Sequence, residues 1–112
     1  MHVVVFKDRC ARAIRVVFDD ARTWAVAYHD GETVGELRLD AECEAAMPVT
    51  ATLARLYVEP AYRRSGIAHT LLVYARRELG QPIRIEPHRW PESHAWATLC
   101  RCLAHEGIVA VA

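Results

Sequence analysis

Two hydrophobic rhythms run along the chain, and the changes between them divide it into elements. Short β-branched runs at residues 3–6, 13–18, 23–29 and 33–39 predict strands. The last two flank Asp30-Gly31, residue types that accept positive φ at both positions of a two-residue hairpin. Val34-Gly35-Glu36-Leu37-Arg38-Leu39 alternates as a half-buried strand does. Residues 41–48 lose the rhythm and predict a loop, and residues 49–58 predict the next strand. From Ile67 the period lengthens. Ile67, Leu71, Leu72, Ala75 and Leu79 fall on one helical face, and Gly80 stands where that helix should stop. Residues 82–87 predict a strand, a second helix starts near Pro91 or Ser93 and runs to His105, and residues 108–111 close as a strand. No repeat, linker or low-complexity segment interrupts this order, so residues 1–112 predict a single domain.

The junction between strand and long helix carries the chemistry. Leu56-Tyr57-Val58-Glu59-Pro60-Ala61-Tyr62-Arg63-Arg64-Ser65-Gly66-Ile67-Ala68 ends an apolar run at a proline, turns through two arginines and enters the helix at a glycine. Such a turn aims backbone N–H groups and the positive end of a helix at one small volume, which suits a phosphate. The plainer alternative is an ordinary β–turn–helix connection with a glycine for steric relief. Neither a Gly-x-Gly-x-x-Gly nor a Gly-x-x-x-x-Gly-Lys-Ser/Thr pattern occurs, which removes support from nicotinamide and nucleoside-triphosphate readings.

These residues resemble the GNAT acetyltransferase superfamily, whose signature is a strand, then Arg/Gln-x-x-Gly-x-Gly/Ala, then a helix. Here it reads Arg63-Arg64-Ser65-Gly66-Ile67-Ala68. The hairpin 25–35 is similar to the family's second and third strands, and Glu106-Gly107-Ile108 to its terminal Gly-Phe. The resemblance implies an α+β acyl-CoA N-acyltransferase fold, a mixed, mostly antiparallel sheet flanked by two main helices. It also implies acetyl-coenzyme A bound by Leu56, Tyr57, Val58, Arg63, Arg64, Ser65, Gly66, Ile67 and Ala68. The family normally places two helices between its first two strands, as one wall of the acceptor site. Only about a dozen residues separate the corresponding strands here, and they have strand character. The expected fold is therefore trimmed, with an acceptor groove that is either open to a protein substrate or completed by a second copy of the chain in a homodimer.

Composition narrows the partners. The chain of 112 residues balances 14 basic against 14 acidic side chains, which argues against a nucleic-acid protein working by general electrostatic attraction. Arg76 and Arg77 more simply solvate a helix face than bind a ligand. No apolar run is long enough to cross a bilayer, and the start of the chain lacks the pattern of a signal peptide. The expectation is a soluble, cytoplasmic protein. Cys10, Cys43, Cys100 and Cys102 have no disulfide spacing, and the six histidines make no His-x-x-x-His pair, so reduced thiols and no metal site are expected.

For acetyl transfer to a primary amine, the resemblance assigns thioester polarisation to a backbone N–H among Leu56, Tyr57 and Val58. Ile85-Glu86-Pro87 is similar to a segment whose glutamate is the base in relatives, so Glu86 is the first candidate base, ahead of Glu36 and His88. Solvation of Glu86 at the strand end, or pairing with Arg84 or Arg89, is the structural alternative. The family's usual acid, a tyrosine four residues before the terminal Gly-Phe, is replaced by Leu103, with Cys102 and His105 beside it. Trp90 and Trp96 either pack on the core or line an acceptor pocket. The function expected is acetyl-CoA-dependent N-acetyltransfer to a protein lysine, a protein N-terminus or a small-molecule amine. The alternative is a non-catalytic acyl-CoA-binding, regulatory or interaction protein.

Overall fold

A computed structural model describes residues 2–20, 23–42, 50–90 and 92–111. Among the described residues, seven strands form one sheet in sequence order: β1 (His2–Lys7), β2 (Ala13–Phe18), β3 (Trp24–His29), β4 (Glu32–Glu42), β5 (Thr50–Val58), β6 (Ile83–Ile85) and β7 (Val109–Val111). Neighbours from β1 to β5 are antiparallel, whereas β5–β6 and β6–β7 are parallel. The parallel steps need crossovers, and α1 (Ile67–Leu79) and α2 (His94–His105) supply them. The acyltransferase-type α+β fold expected from the sequence is thereby present.

Local chemistry explains the elements. Asp30 (φ 49°) and Gly31 (φ 82°) form the tight β3–β4 hairpin. Gly80 adopts φ 75° and returns its N–H to Arg76 O, ending α1. The Ser93 hydroxyl accepts the Trp96 N–H at the start of α2. Residues 41 and 42 extend β4, where the sequence predicts a loop, and the rest of that predicted loop lies outside the described residues.

Alternation in the strands buries one sheet face. Ile14, Val16, Phe18, Leu37, Leu53, Ile83 and Ile85 meet Ile67, Leu71, Leu72 and Ala75 of α1 and Leu103 of α2 in one cluster. The two helices lie together over this face, linked by His69 Nε2–Glu106 Oε2 at 2.8 Å and by Arg76 Nε donating to Gly107 O at 3.2 Å. Residues 8–12 join β1 to β2 and residues 19–23 join β2 to β3, both connections too short for a pair of helices. Leu103 is 0 % exposed and belongs to this core.

Leu72→Ala should destabilise the domain by about 2–5 kcal/mol in chemical denaturation, because it empties a closed site. Val5→Ala, at a side chain 63 % exposed, should stay within about 0.5 kcal/mol of the wild type.

Candidate functional site

Parallel pairing between β5 and β6 is confined to Thr52↔Arg84. Beyond it β5 stays paired to β4 through Leu37↔Leu56, Glu36↔Tyr57 and Gly35↔Val58, but its other edge is open. A cleft of about 680 Å³ occupies this divergence. Leu56, Tyr57 and Val58 form one wall, Arg63, Arg64, Gly66, Ile67 and Ala68 the end, and Trp90, Ser93, Ala95, Trp96 and Leu99 the opposite wall. Backbone groups on an unpaired strand edge are the donors and acceptors that an extended ligand would use.

The end wall has the features of an anion cradle. A 3-10 turn at Pro60–Tyr62 leads into Arg64 at φ 60° and Gly66 at φ 88°. The first N–H groups of α1 have no intrahelical acceptor, no side chain caps them, and no acidic residue sits in the first turn. Gly66 is required first by its backbone angle. A Cβ there would meet Arg9 Nε at 3.6 Å, an ordinary contact, so φ 88° rather than lack of space is the local constraint.

The sequence-predicted cofactor residues converge on this cleft, with one exception. Ser65 is 1 % exposed, and its hydroxyl donates to Tyr62 O, so it shapes the turn from inside. Arg63 Nε donates to Val58 O at 2.9 Å, bracing the turn against the end of β5. Its guanidinium also lies 5.7 Å from the Tyr57 ring centroid.

Glu86 does not line the cleft. It follows β6 and pairs with Arg89 Nε at 3.3 Å, the structural alternative raised by its sequence setting, with His88 Nε2 at 3.5 Å. Glu36 is held on the sheet's outer face by Arg38 and Arg55. His88 is an exposed side chain beside Glu86. Trp90 and Trp96 stack at 4.5 Å and do both things considered for them, packing on the core while lining the cleft. A second groove, of about 780 Å³, shares these two rings and runs past Ile85, Cys100 and Val111. Burial raises the Cys100 thiol above its ordinary value, which keeps it neutral and makes it an ordinary core side chain. Among the described residues no group of His, Cys, Asp and Glu could hold a metal, and no helix is long and apolar enough to cross a membrane.

The sequence alone did not single out the β1–β2 loop, residues 8–12. The antiparallel order returns it to the same sheet end as the cradle, where Arg9 N–H donates to Ser65 O at 2.9 Å. Arg12 lies 4.0 Å over the Tyr62 ring, and the Tyr62 hydroxyl meets His29 Nδ1 at 2.6 Å. The side chain of Asp8 is fully buried and accepts from Cys10 N, Arg12 N and Arg12 Nε at 3.0, 2.9 and 2.8 Å. Burial by itself would raise the Asp8 pKa; these hydrogen bonds and the Arg12 charge outweigh it and hold the carboxyl below the ordinary carboxylate value.

The acetyltransferase (GNAT) domain model matches residues 19–101. Among solved structures, an acetyltransferase from Vibrio fischeri is 26% identical, with 55% of this chain and 57% of that chain covered and a TM-score of 0.44. The chain thus spans a little over half the length of that protein. No curated protein matches it.

Two outcomes follow from this geometry. Gly66→Val should cost about 1–3 kcal/mol in denaturant unfolding, because a β-branched residue is strained at this φ. Asp8→Asn should lower stability above the unfolded-state value near 3.8, where the carboxylate is ionised in both states. The depressed native pKa means that the wild type's advantage disappears as pH falls through it, so the two unfolding curves should converge in acid.

Proposed function

Because the chain belongs to the GNAT acetyltransferase domain family, we propose that it transfers an acetyl group from acetyl-coenzyme A to a primary amine. The acceptor is a protein lysine, a protein N-terminus or a small-molecule amine. The observation that carries this reading is the cleft between β5 and β6, which joins an unpaired strand edge to an uncapped helix start flanked by arginines. The residues fit the coenzyme. The open edge at Leu56, Tyr57 and Val58 suits its extended amide-bearing arm, and Arg63, Arg64 and the amides around Gly66 suit its diphosphate.

Acetyl-coenzyme A supplies an acyl group already activated as a thioester. A backbone N–H of the Leu56–Val58 segment polarises the carbonyl and stabilises negative charge on its oxygen as the amine adds. The C–N bond forms, the C–S bond breaks, and the amine proton passes to a base. Glu86 is the proposed base. It follows the strand bordering the cleft, and Arg89 holds its carboxylate outside the lining, so it acts on the amine only through a bridging water. With Leu103 in the core, the leaving thiolate takes its proton from water or from Tyr57, a half-exposed lining residue. The trimmed front of the sheet leaves room for a protein acceptor, or for a second copy of the chain that completes the groove.

The burial of Leu103 favours one other reading, a binder of acyl-coenzyme A without turnover. Acetyl-coenzyme A at 100 times Kd should stabilise the native state by about 2.7 kcal/mol under either reading. Release of free thiol with an amine panel separates them, and its complete absence would retire the enzyme. Glu86→Gln should lower kcat at least about 100-fold, the scale of general-base catalysis, with little change in KM for acetyl-coenzyme A. An unchanged kcat would remove Glu86 from the mechanism.

A further inference from the structure

The β1–β2 loop is built more firmly than a plain hairpin end requires. Its five residues wrap the buried Asp8 carboxylate, which receives three hydrogen bonds, and Ala11 turns at φ 59° to close the wrap. Two bonds fasten this knot to the cradle: Arg9 N–H to Ser65 O at 2.9 Å, and Arg12 Nη1 to Ala61 O at 3.4 Å. The loop therefore has a fixed position relative to Gly66.

What the knot delivers is the Arg9 side chain. Its Nε and Cγ lie 3.6 and 3.8 Å from the place where a Cβ of Gly66 would stand, so it extends across the glycine of the cradle. It lines the cleft with Arg63 and Arg64. Among the described residues, no ion pair or hydrogen bond engages its guanidinium. Three arginines at one end of a cleft, with no carboxylate paired to any of them among the described residues, call for an anion carrying several charges.

We propose that Arg9 is a third anion-binding residue of the cleft, delivered from outside the strand–turn–helix unit, and that it grips the diphosphate of a nucleotide-bearing coenzyme. The proposal rests on the coenzyme reading above and assigns it a residue far from the Arg63–Ala68 motif. Asp8 is a positioning residue here: it touches no ligand and acts by holding the loop that carries Arg9. Position selects the diphosphate over other phosphates. Arg9 crosses Gly66, where the unpaired amides at the start of α1 converge, and a diphosphate seated there meets both donor sets at once.

Titration calorimetry of the whole chain with coenzyme A, 3′-dephospho-coenzyme A and pantetheine tests this. Arg9→Ala should weaken the first two by about tenfold, to the same extent, and leave pantetheine unchanged, since only the first two carry the diphosphate. Asp8→Asn, with Arg9 intact, should reproduce part of that loss. Arg15→Ala, an exposed arginine on β2, should match the wild type for all three. Unchanged affinity for coenzyme A in Arg9→Ala would overturn the proposal. So would a loss confined to coenzyme A, which would move Arg9 to the 3′-phosphate. Failure of the wild-type chain to bind coenzyme A would instead sink the coenzyme reading on which the proposal stands.

Discussion

The parallel pairing of β5 with β6 goes no further than Thr52↔Arg84, and the rest of the site depends on that limit. Had pairing continued to the end of β5, the backbone groups on its outer edge would be satisfied within the sheet, and no cleft would exist. The divergence leaves them facing a cavity. The β4–β5 ladder meanwhile keeps β5 straight enough to deliver Val58 to the turn that follows. Backbone polar groups left unpaired beside an apolar wall are costly unless water or a ligand engages them. The strand edge is thus both the weak place in the sheet and the surface proposed to bind a ligand.

The cradle at the end of this edge is held from three sides. Arg63 ties it to β5 through Val58 O, the Ser65 hydroxyl closes it internally on Tyr62 O, and the β1–β2 loop fastens it from outside through Arg9 and Arg12. Left-handed residues at Arg64 and Gly66 are tolerated because these contacts fix the backbone around them. A rigid cradle suits the anion site proposed for it: amides already aimed at one point need no reorganisation on binding a charge.

Both helices cover one sheet face, and among the described residues no helix covers the other. Val3, Val17, Val26, Glu36 and Tyr57 form one cross-strand row on it. Val3, Val5, Trp24 and Tyr57 are the exposed large apolar side chains there, beside the Glu36–Arg38–Arg55 ion-pair group.

Local patterns carried the elements and half of the site. Period-two and period-three-to-four spacing located the strands and helices, and Asp30-Gly31, Gly66 and Gly80 marked the places where the chain needs positive φ. The residues from Leu56 to Ala68 were legible as a strand–turn–helix unit because they are contiguous, so their geometry follows from short-range backbone preferences. Sequence distance hid the rest. Arg9 reaches Gly66 only because two antiparallel hairpins return the β1–β2 loop to the cradle. Trp90 and Trp96 become a cleft wall only once α2 crosses the sheet. Glu86 is drawn to Arg89 by the turn at Pro87–Arg89, away from the cleft. The sequence by itself determined the strand–turn–helix that can hold an anion, because backbone conformation there is set by neighbours along the chain. The tertiary structure alone decided which charges surround that turn and which sheet face the helices leave uncovered, because those depend on contacts between residues that only the folded sheet brings together.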